Sequence, residues 1–276
     1  MSLRDEVFKL DPVLWCQETL NLEPDPWQSE VLRSNSKRIL LLCSRQAGKS
    51  FTCGLLATHT AIYQPGSLIL CISPTLRQSS ELLHTISRIY GTPDQPVPST
   101  AESALKIELK NGSRIICLPG KEQNVRGYAG VSLLIIDESA RVPDDMYFSL
   151  RPFLAVSRGR MVCSSTPFGK RGWYFREWTE GLGWERHQIT ALQCPRITPE
   201  FLDQERKSMP QAAFDAEYMC VFGESTDSVF GYDLVAGAVS KDIEPLDCGV
   251  EEWQISMSDW IISRAQTWLM KWTTAA

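Results

Sequence analysis

The sequence predicts an α/β domain built on a mostly parallel sheet. Four short apolar runs, 37–43, 67–73, 131–137 and 159–165, carry no polar alternation, as expected of strands covered on both faces. Helical patterns fall between them, and strand–helix alternation is the signature of a parallel sheet flanked by helices. A tight-turn dipeptide, Asn111-Gly112, sits inside the one stretch that does alternate, which adds an antiparallel hairpin to that plan.

In chain order, "KRILLLC" (37–43) is the first strand and the pattern over 49–63 the first long helix. "SLILCIS" (67–73) is the second strand, followed by helical spacing over 76–90. A proline-rich loop is expected over 92–100, then the inserted hairpin over 104–120. "VSLLIID" (131–137) is a further buried strand, and a helix over 144–154 is started by Pro143-Asp144-Asp145. "GRMVCSS" (159–165) is the next strand. After Trp184 come a strand-like "WERHQI" and helices at 199–207 and 211–220.

The bulk composition is that of an ordinary globular protein, with 43% hydrophobic and 22% charged residues. No apolar run approaches the roughly 18 residues of a membrane span, and the N-terminus has no apolar signal core, so neither membrane insertion nor export is expected. Nine cysteines, none in a C-x-x-C pair, and three scattered histidines give no zinc spacing. The expectation is a reduced protein with free core thiols. The net charge of −5 gives no global argument for nucleic acid, but six Lys or Arg and no acid lie between Arg151 and Arg176. A basic surface and an ordinary solvated face fit that run equally.

The chemistry begins at Leu40–Ser50, "LLLCSRQAGKS". Gly48-Lys49-Ser50 matches the end of the phosphate-loop pattern G-x-x-x-x-G-K-[ST], with Cys43 where the first glycine belongs. Such a loop needs inward backbone amides, a lysine for the β/γ-phosphates and a hydroxyl for Mg²⁺. Ser44, Arg45, Gln46, Ala47 and Gly48 supply the cradle, Lys49 the cation and Ser50 the metal ligand. A strand before and a helix after place a helix N-terminus against the phosphates. "LLIIDES" then ends a second buried strand with Asp137, placed to hold Mg²⁺, and Glu138, placed to deprotonate the attacking water. Upstream, Trp27 and Gln28 stand where a glutamine amide can read an adenine edge beside an aromatic, although taken alone they fit a helix start with a core tryptophan better. Thr166 in "SSTP" ends the next strand near the γ-phosphate. Arg126 in "NVRGYAG" is a candidate for charge stabilisation.

Together these residues resemble the ATPase domain of the large terminase subunit, the DNA-packaging motor of tailed bacteriophages. In that family "SRQxGKS" replaces the glycine-first loop, and Ser44-Arg45-Gln46-Ala47-Gly48-Lys49-Ser50 matches it position by position. The similarity continues through Trp27-Gln28, Arg126-Gly127, "LLIIDES", "SSTPFGKRGWYFREW" and "AEYMCVFGESTDSVF". It implies a RecA-like P-loop NTPase of the additional-strand, catalytic-glutamate class, using ATP and Mg²⁺. It also implies that Arg45 senses the γ-phosphate within the chain, that Arg126 is offered to a neighbouring subunit, and that Ser164-Ser165-Thr166 couples hydrolysis to motion. The implied partners are double-stranded DNA, a portal protein beneath a homo-oligomeric ring, and the small terminase subunit, with no membrane. The implied location is the cytoplasm of the bacterial host.

The departure from the family is at the C-terminus. The motor domain is expected over 1–230, leaving 231–276, a tail of 46 residues after Phe230, in place of a nuclease domain. Two other classes share parts of the pattern. A superfamily 2 helicase or translocase also pairs a glutamine motif with Asp-Glu, but the loop here is not of its "GSGKT" type and no second motor domain follows. A non-catalytic interaction module on an ATPase fold is the other, and intact Lys49, Ser50, Asp137 and Glu138 speak against it.

Overall fold

The computed structural model describes residues 3–92, 96–120, 125, 127–224, 234, 237 and 238. The chain divides into two compact units, Met1–Gly231 and Tyr232–Ala276. The first is organised on one eight-stranded sheet. Its strands are β1 (Arg38–Cys43), β2 (Leu68–Ser73), β3 (Ser99–Ser103), β4 (Lys106–Leu109), β5 (Arg114–Pro119), β6 (Leu133–Asp137), β7 (Arg160–Ser165) and β8 (Glu185–Ile189). They lie in the order β3-β4-β5-β2-β6-β7-β1-β8. Every pairing from β5 to β8 is parallel, and the two antiparallel pairings are those of β4 with β3 and with β5.

The apolar runs become strands because both faces of the sheet are covered. Ile39, Leu41 and Cys43 of β1 pack on one side with residues of α1 (Leu3–Leu10), α2 (Pro12–Leu20), α3 (Pro26–Arg33), α4 (Lys49–Tyr63) and α5 (Leu76–Tyr90). Leu40 and Leu42 pack on the other with α6 (Asp144–Leu150) and α7 (Gly172–Thr179). Period-two side chains meeting apolar layers on both sides leave no polar positions to alternate. On the second face, Tyr147 and Trp173 stack with ring centroids 3.9 Å apart, and Trp173 Nε1 donates to Val142 O at 2.9 Å. A smaller cluster joins Leu202 of α8 (Pro199–Ser208) to Phe214 and Tyr218 of α9 (Gln211–Tyr218).

The hairpin forms where Asn111-Gly112 places it, with Gly112 at φ 83°. Asn111 Nδ2 donates to Ala61 O and Ile62 O, which ties the turn to the end of α4. Three details depart from the sequence reading. The expected loop 92–100 gives way at Ser99 to β3, an almost wholly exposed polar edge strand without an apolar pattern. The helix expected over 144–154 ends at Leu150 and continues as a 3₁₀ turn, Arg151–Leu154, because Pro152 has no N–H to extend the ladder. α1 and α2 were not foreseen, although Asp11-Pro12 is a readable start: Asp11 Oδ1 accepts from the amides of Val13 and Leu14.

All eight described cysteines are buried free thiols. No described helix is long and apolar enough to cross a membrane. What matters for the site is that β7 lies between β1 and β6 and parallel to both, so the C-terminal ends of all three strands lie side by side.

Candidate nucleotide site

The loop between β1 and α4 turns through two left-handed residues, Gln46 at φ 61° and Gly48 at φ 94°. Glycine is needed at 48 for space as well as conformation, since a Cβ there would lie 3.0 Å from Gln28 Nε2. Cys43 needs no glycine: it is still strand, paired with Ile189 and fully buried, so the loop closes one residue later. Ser44 is buried and its amide donates to Ile189 O at 2.8 Å, which anchors the loop to β8. Ala47 is fully buried. Lys49 is the first residue of α4.

Across the sheet edge, Asp137 ends β6 with 6% of its surface exposed. Its Oδ2 accepts from Ser50 Oγ at 3.1 Å and its Oδ1 from Ser164 Oγ on β7 at 2.8 Å. Burial raises the Asp137 carboxyl above its ordinary value, against the opposing pull of Lys49 and the two hydroxyls. Glu138 follows in the left-handed region, at φ 51°, which ends the strand and redirects its side chain. Lys49 Nζ lies 2.9 Å from Glu138 Oε1, with the two side chains 13% and 18% exposed. Burial works against the lysine cation, but Glu138 and Asp137 together outweigh it and raise its affinity for the proton.

Lys49, Ser50 and Glu138 border a cavity of about 740 Å³, within the range of small-molecule sites. Arg45, Gln46, Gly48, Lys49, Ser50, Glu138 and Thr166 all line it. A hydroxyl and a carboxylate oxygen meeting at Ser50 and Asp137 are hard donors of the kind Mg²⁺ takes while keeping waters and phosphate oxygens. No group of three or more His, Cys, Asp or Glu able to hold a metal occurs among the described residues.

Other sequence-derived candidates stand differently. Trp27 is a core residue, and Gln28 has both amide atoms engaged: Oε1 accepts from Asp25 N at 2.9 Å and Nε2 donates to Thr52 Oγ1 at 3.0 Å. Neither lines the cavity, and Gln28 braces the loop from behind. Arg45 turns outward, with Nε 2.6 Å from Glu217 Oε2 of α9 and its amide on Glu217 O at 3.0 Å. Arg126 lies outside the described residues. The acid-free segment has several of its cations engaged with other partners. Arg160 is inserted against Val31 O, Arg176 pairs with Asp144 and Lys170 with Glu224.

Sequence reasoning missed several residues at the site. Phe51, Pro74, Thr75, Gln78 and Arg141 line the cavity. Arg196 makes a two-toothed pair with Asp25 and donates to Ala47 O at 3.3 Å, clamping the loop from outside. "SPT" (73–75) at the end of a buried strand was a readable signal, since it mirrors "STP" at the end of β7. Arg196 offered none, because its partners lie about 150 and 170 residues away in the chain.

A phosphate loop on β1 and an Asp-Glu pair on β6, with β7 inserted between them, define a RecA-like P-loop NTPase fold of the additional-strand class. The family model of the terminase large subunit, T4likevirus-type, N-terminal, matches residues 40–236, and the chain belongs to that family. The terminase large subunit of Thermus phage G20c is 24% identical, covering 79% of this chain and 53% of the relative; that of Thermus virus P23-45 gives the same figures. The chain therefore spans about half the length of the curated relatives it matches. Among solved structures, the ATPase domain of the Thermus phage P74-26 large terminase superposes with a TM-score of 0.67 at 21% identity, over 78% of this chain and all of that one. The large terminase of bacteriophage D6E, solved with ADP, gives 0.58 at 12% identity over 78% of this chain and 52% of that one.

Proposed function

We propose that the chain hydrolyses MgATP as the motor domain of a large terminase and moves double-stranded DNA into a procapsid. The supporting observation is that Lys49, Ser50 and Glu138 line one cavity at the ends of the parallel strands, with Asp137 hydrogen-bonded to Ser50 just behind it. Lys49 binds the β/γ-phosphates, and the loop amides with the α4 N-terminus hold the remaining phosphate charge. Ser50 and Asp137 hold Mg²⁺, which when bound draws charge from the phosphates. Glu138 orients the attacking water and accepts its proton. Thr166, at the end of β7, lines the cavity beside these groups. Arg45 stabilises phosphate charge from within the chain once it leaves Glu217, and Arg126 does so from a neighbouring copy. The working assembly is a homo-oligomeric ring on a portal, fed with DNA by the small subunit, with residues 1–230 as the motor unit.

The test couples phosphate release to DNA movement. Purified chain, alone and assembled on a portal, is given MgATP and duplex DNA carrying a triplex roadblock, with Lys49→Ala as control. Turnover with roadblock displacement and intact duplex supports the proposal. Strand separation would point instead to a helicase, and wild-type turnover no higher than that of Lys49→Ala to an interaction module.

A further inference from the structure

Glu138 is held at both oxygens, and its second partner is a residue that neither the phosphate loop nor the metal position requires. Lys49 sits on Oε1; on the other side Arg141 Nε lies 3.8 Å from Oε2. Arg141 belongs to a 3₁₀ turn, Ser139–Arg141, fastened directly after β6. Its amide donates to Glu138 O at 2.9 Å, Ser139 Oγ donates to Ile136 O at 2.6 Å, and the Ala140 amide donates to Ser165 Oγ on β7 at 3.1 Å. The guanidinium itself is backed by an aromatic face, with Cζ 4.3 Å from the Phe168 ring centroid, and Phe168 follows directly on the Ser164–Pro167 end of β7. Arg171 approaches the same ring at 4.7 Å.

We propose that Arg141 is the positioning residue for Glu138, holding its carboxylate aimed into the cavity when Lys49 moves to phosphate. The proposal rests on the hydrolysis reading above and names a further residue of that site. A glutamate has three side-chain torsions, and Lys49 is the anchor that nucleotide takes away. The aim of the base then depends on a second anchor that does not leave. A contact of 3.8 Å orients the carboxylate as an ion pair, whereas a short two-toothed hydrogen bond would occupy the lone pairs needed for the proton. The flat guanidinium also stacks on Phe168, which a lysine ammonium does less well. Through that ring, Glu138 is fixed relative to the end of β7.

The experiment uses the full chain and five variants: Arg141→Ala, Arg141→Lys, Phe168→Leu, Glu138→Gln, and Glu138→Gln combined with Arg141→Ala. Affinity for Mg·ATPγS and for Mg·ADP·aluminium fluoride is measured by fluorescent-nucleotide displacement, alongside kcat and KM for ATP. Arg141→Ala should keep ATPγS affinity within about threefold, which also verifies that it folds, while kcat and aluminium fluoride trapping fall at least about tenfold. Arg141→Lys should recover part of the loss, and Phe168→Leu should fall between. On the Glu138→Gln background, Arg141→Ala should cost nothing further, because it acts through that carboxylate. Unchanged kcat and trapping in Arg141→Ala, or a further drop in the double variant, overturns the proposal and leaves the hydrolysis reading standing. A wild-type chain that binds no ATPγS, or binds it without turnover or trapping, overturns both.

Discussion

Lys49 Nζ and Glu138 Oε1 stand 2.9 Å apart, so the cation of the phosphate loop and the carboxylate beyond β6 neutralise each other across the sheet edge. Neither charge is left alone in a half-buried cavity, and each occupies the other's working atom. On the proposed reading, phosphate would compete with Glu138 for Lys49, so that binding would exchange one ion pair for another and release the carboxylate from Lys49.

Removing the cation should leave Asp137 and Glu138 as adjacent carboxylates with only Arg141, 3.8 Å from Glu138, as a counter-charge. Lys49→Ala is expected to weaken ATPγS binding by about a hundredfold or more and to lower stability by about 2 kcal/mol, below the cost of breaking a fully buried pair because both side chains are partly solvated. Titration with a fluorescent nucleotide and urea unfolding read the two effects separately.

Gly159 tests the packing that holds β6 and β7 in register. A Cβ there would lie 2.1 Å from Val131 O and 2.9 Å from Ser132 O, both backbone atoms that cannot turn aside. Gly159→Ala should destabilise the domain by about 3 kcal/mol or more. A melting temperature within a degree of wild type would mean that the β6–β7 approach is looser than described.

Much of the frame was legible because the determining signals are local. Four apolar runs became β1, β2, β6 and β7, and Asn111-Gly112 became the hairpin turn. β3 was missed because its residues are polar on an exposed edge, where pairing with β4 and not burial sets the conformation. At the site, Lys49, Ser50, Asp137 and Glu138 were readable because residue type and strand-end position suffice to place them. The orientation of Arg45 was not, and that of Gln28 only in part. Arg45 is decided by Glu217, far away in the chain, so nothing near it in sequence reports the outcome. Gln28 is set by Thr52, 24 residues on, together with a local capping box to Asp25 that was a readable signal.

His59 gives the fold a dependence on pH. It joins α4 to α1 through Nε2 and Phe8 O at 2.8 Å, and packs on Trp15 and Tyr63. Burial lowers its pKa to about 4 from 6.5, so between those values the unfolded chain takes up a proton that the folded one refuses. Stability should therefore fall as pH drops from about 6.5 toward 4, by on the order of 2 kcal/mol from this residue. His59→Gln should flatten that slope in urea titrations run across the range. A slope of undiminished size would move the effect to another group.

The trans role proposed for Arg126 predicts complementation. An arginine reaching the transferring phosphate is worth about 10³–10⁵ in rate in related phosphoryl transfers. Arg126→Ala and Lys49→Ala should each be nearly inactive alone, one with a working pocket and the other with a working arginine. Mixed in one oligomer they should regain part of the activity. A verified mixed ring with no recovery would return the role to Arg45.

The assignment of Glu138 as the base is the central claim, and Glu138→Gln tests it most directly. The amide keeps the shape of the side chain but cannot accept the proton, and it releases Lys49 from its internal partner. Equilibrium binding of Mg·ATP and single-turnover hydrolysis are measured on the same protein. The account predicts ATP affinity equal to or tighter than wild type, with the hydrolysis step slowed at least about a hundredfold. Hydrolysis at the wild-type rate by a well-folded Glu138→Gln chain would contradict it.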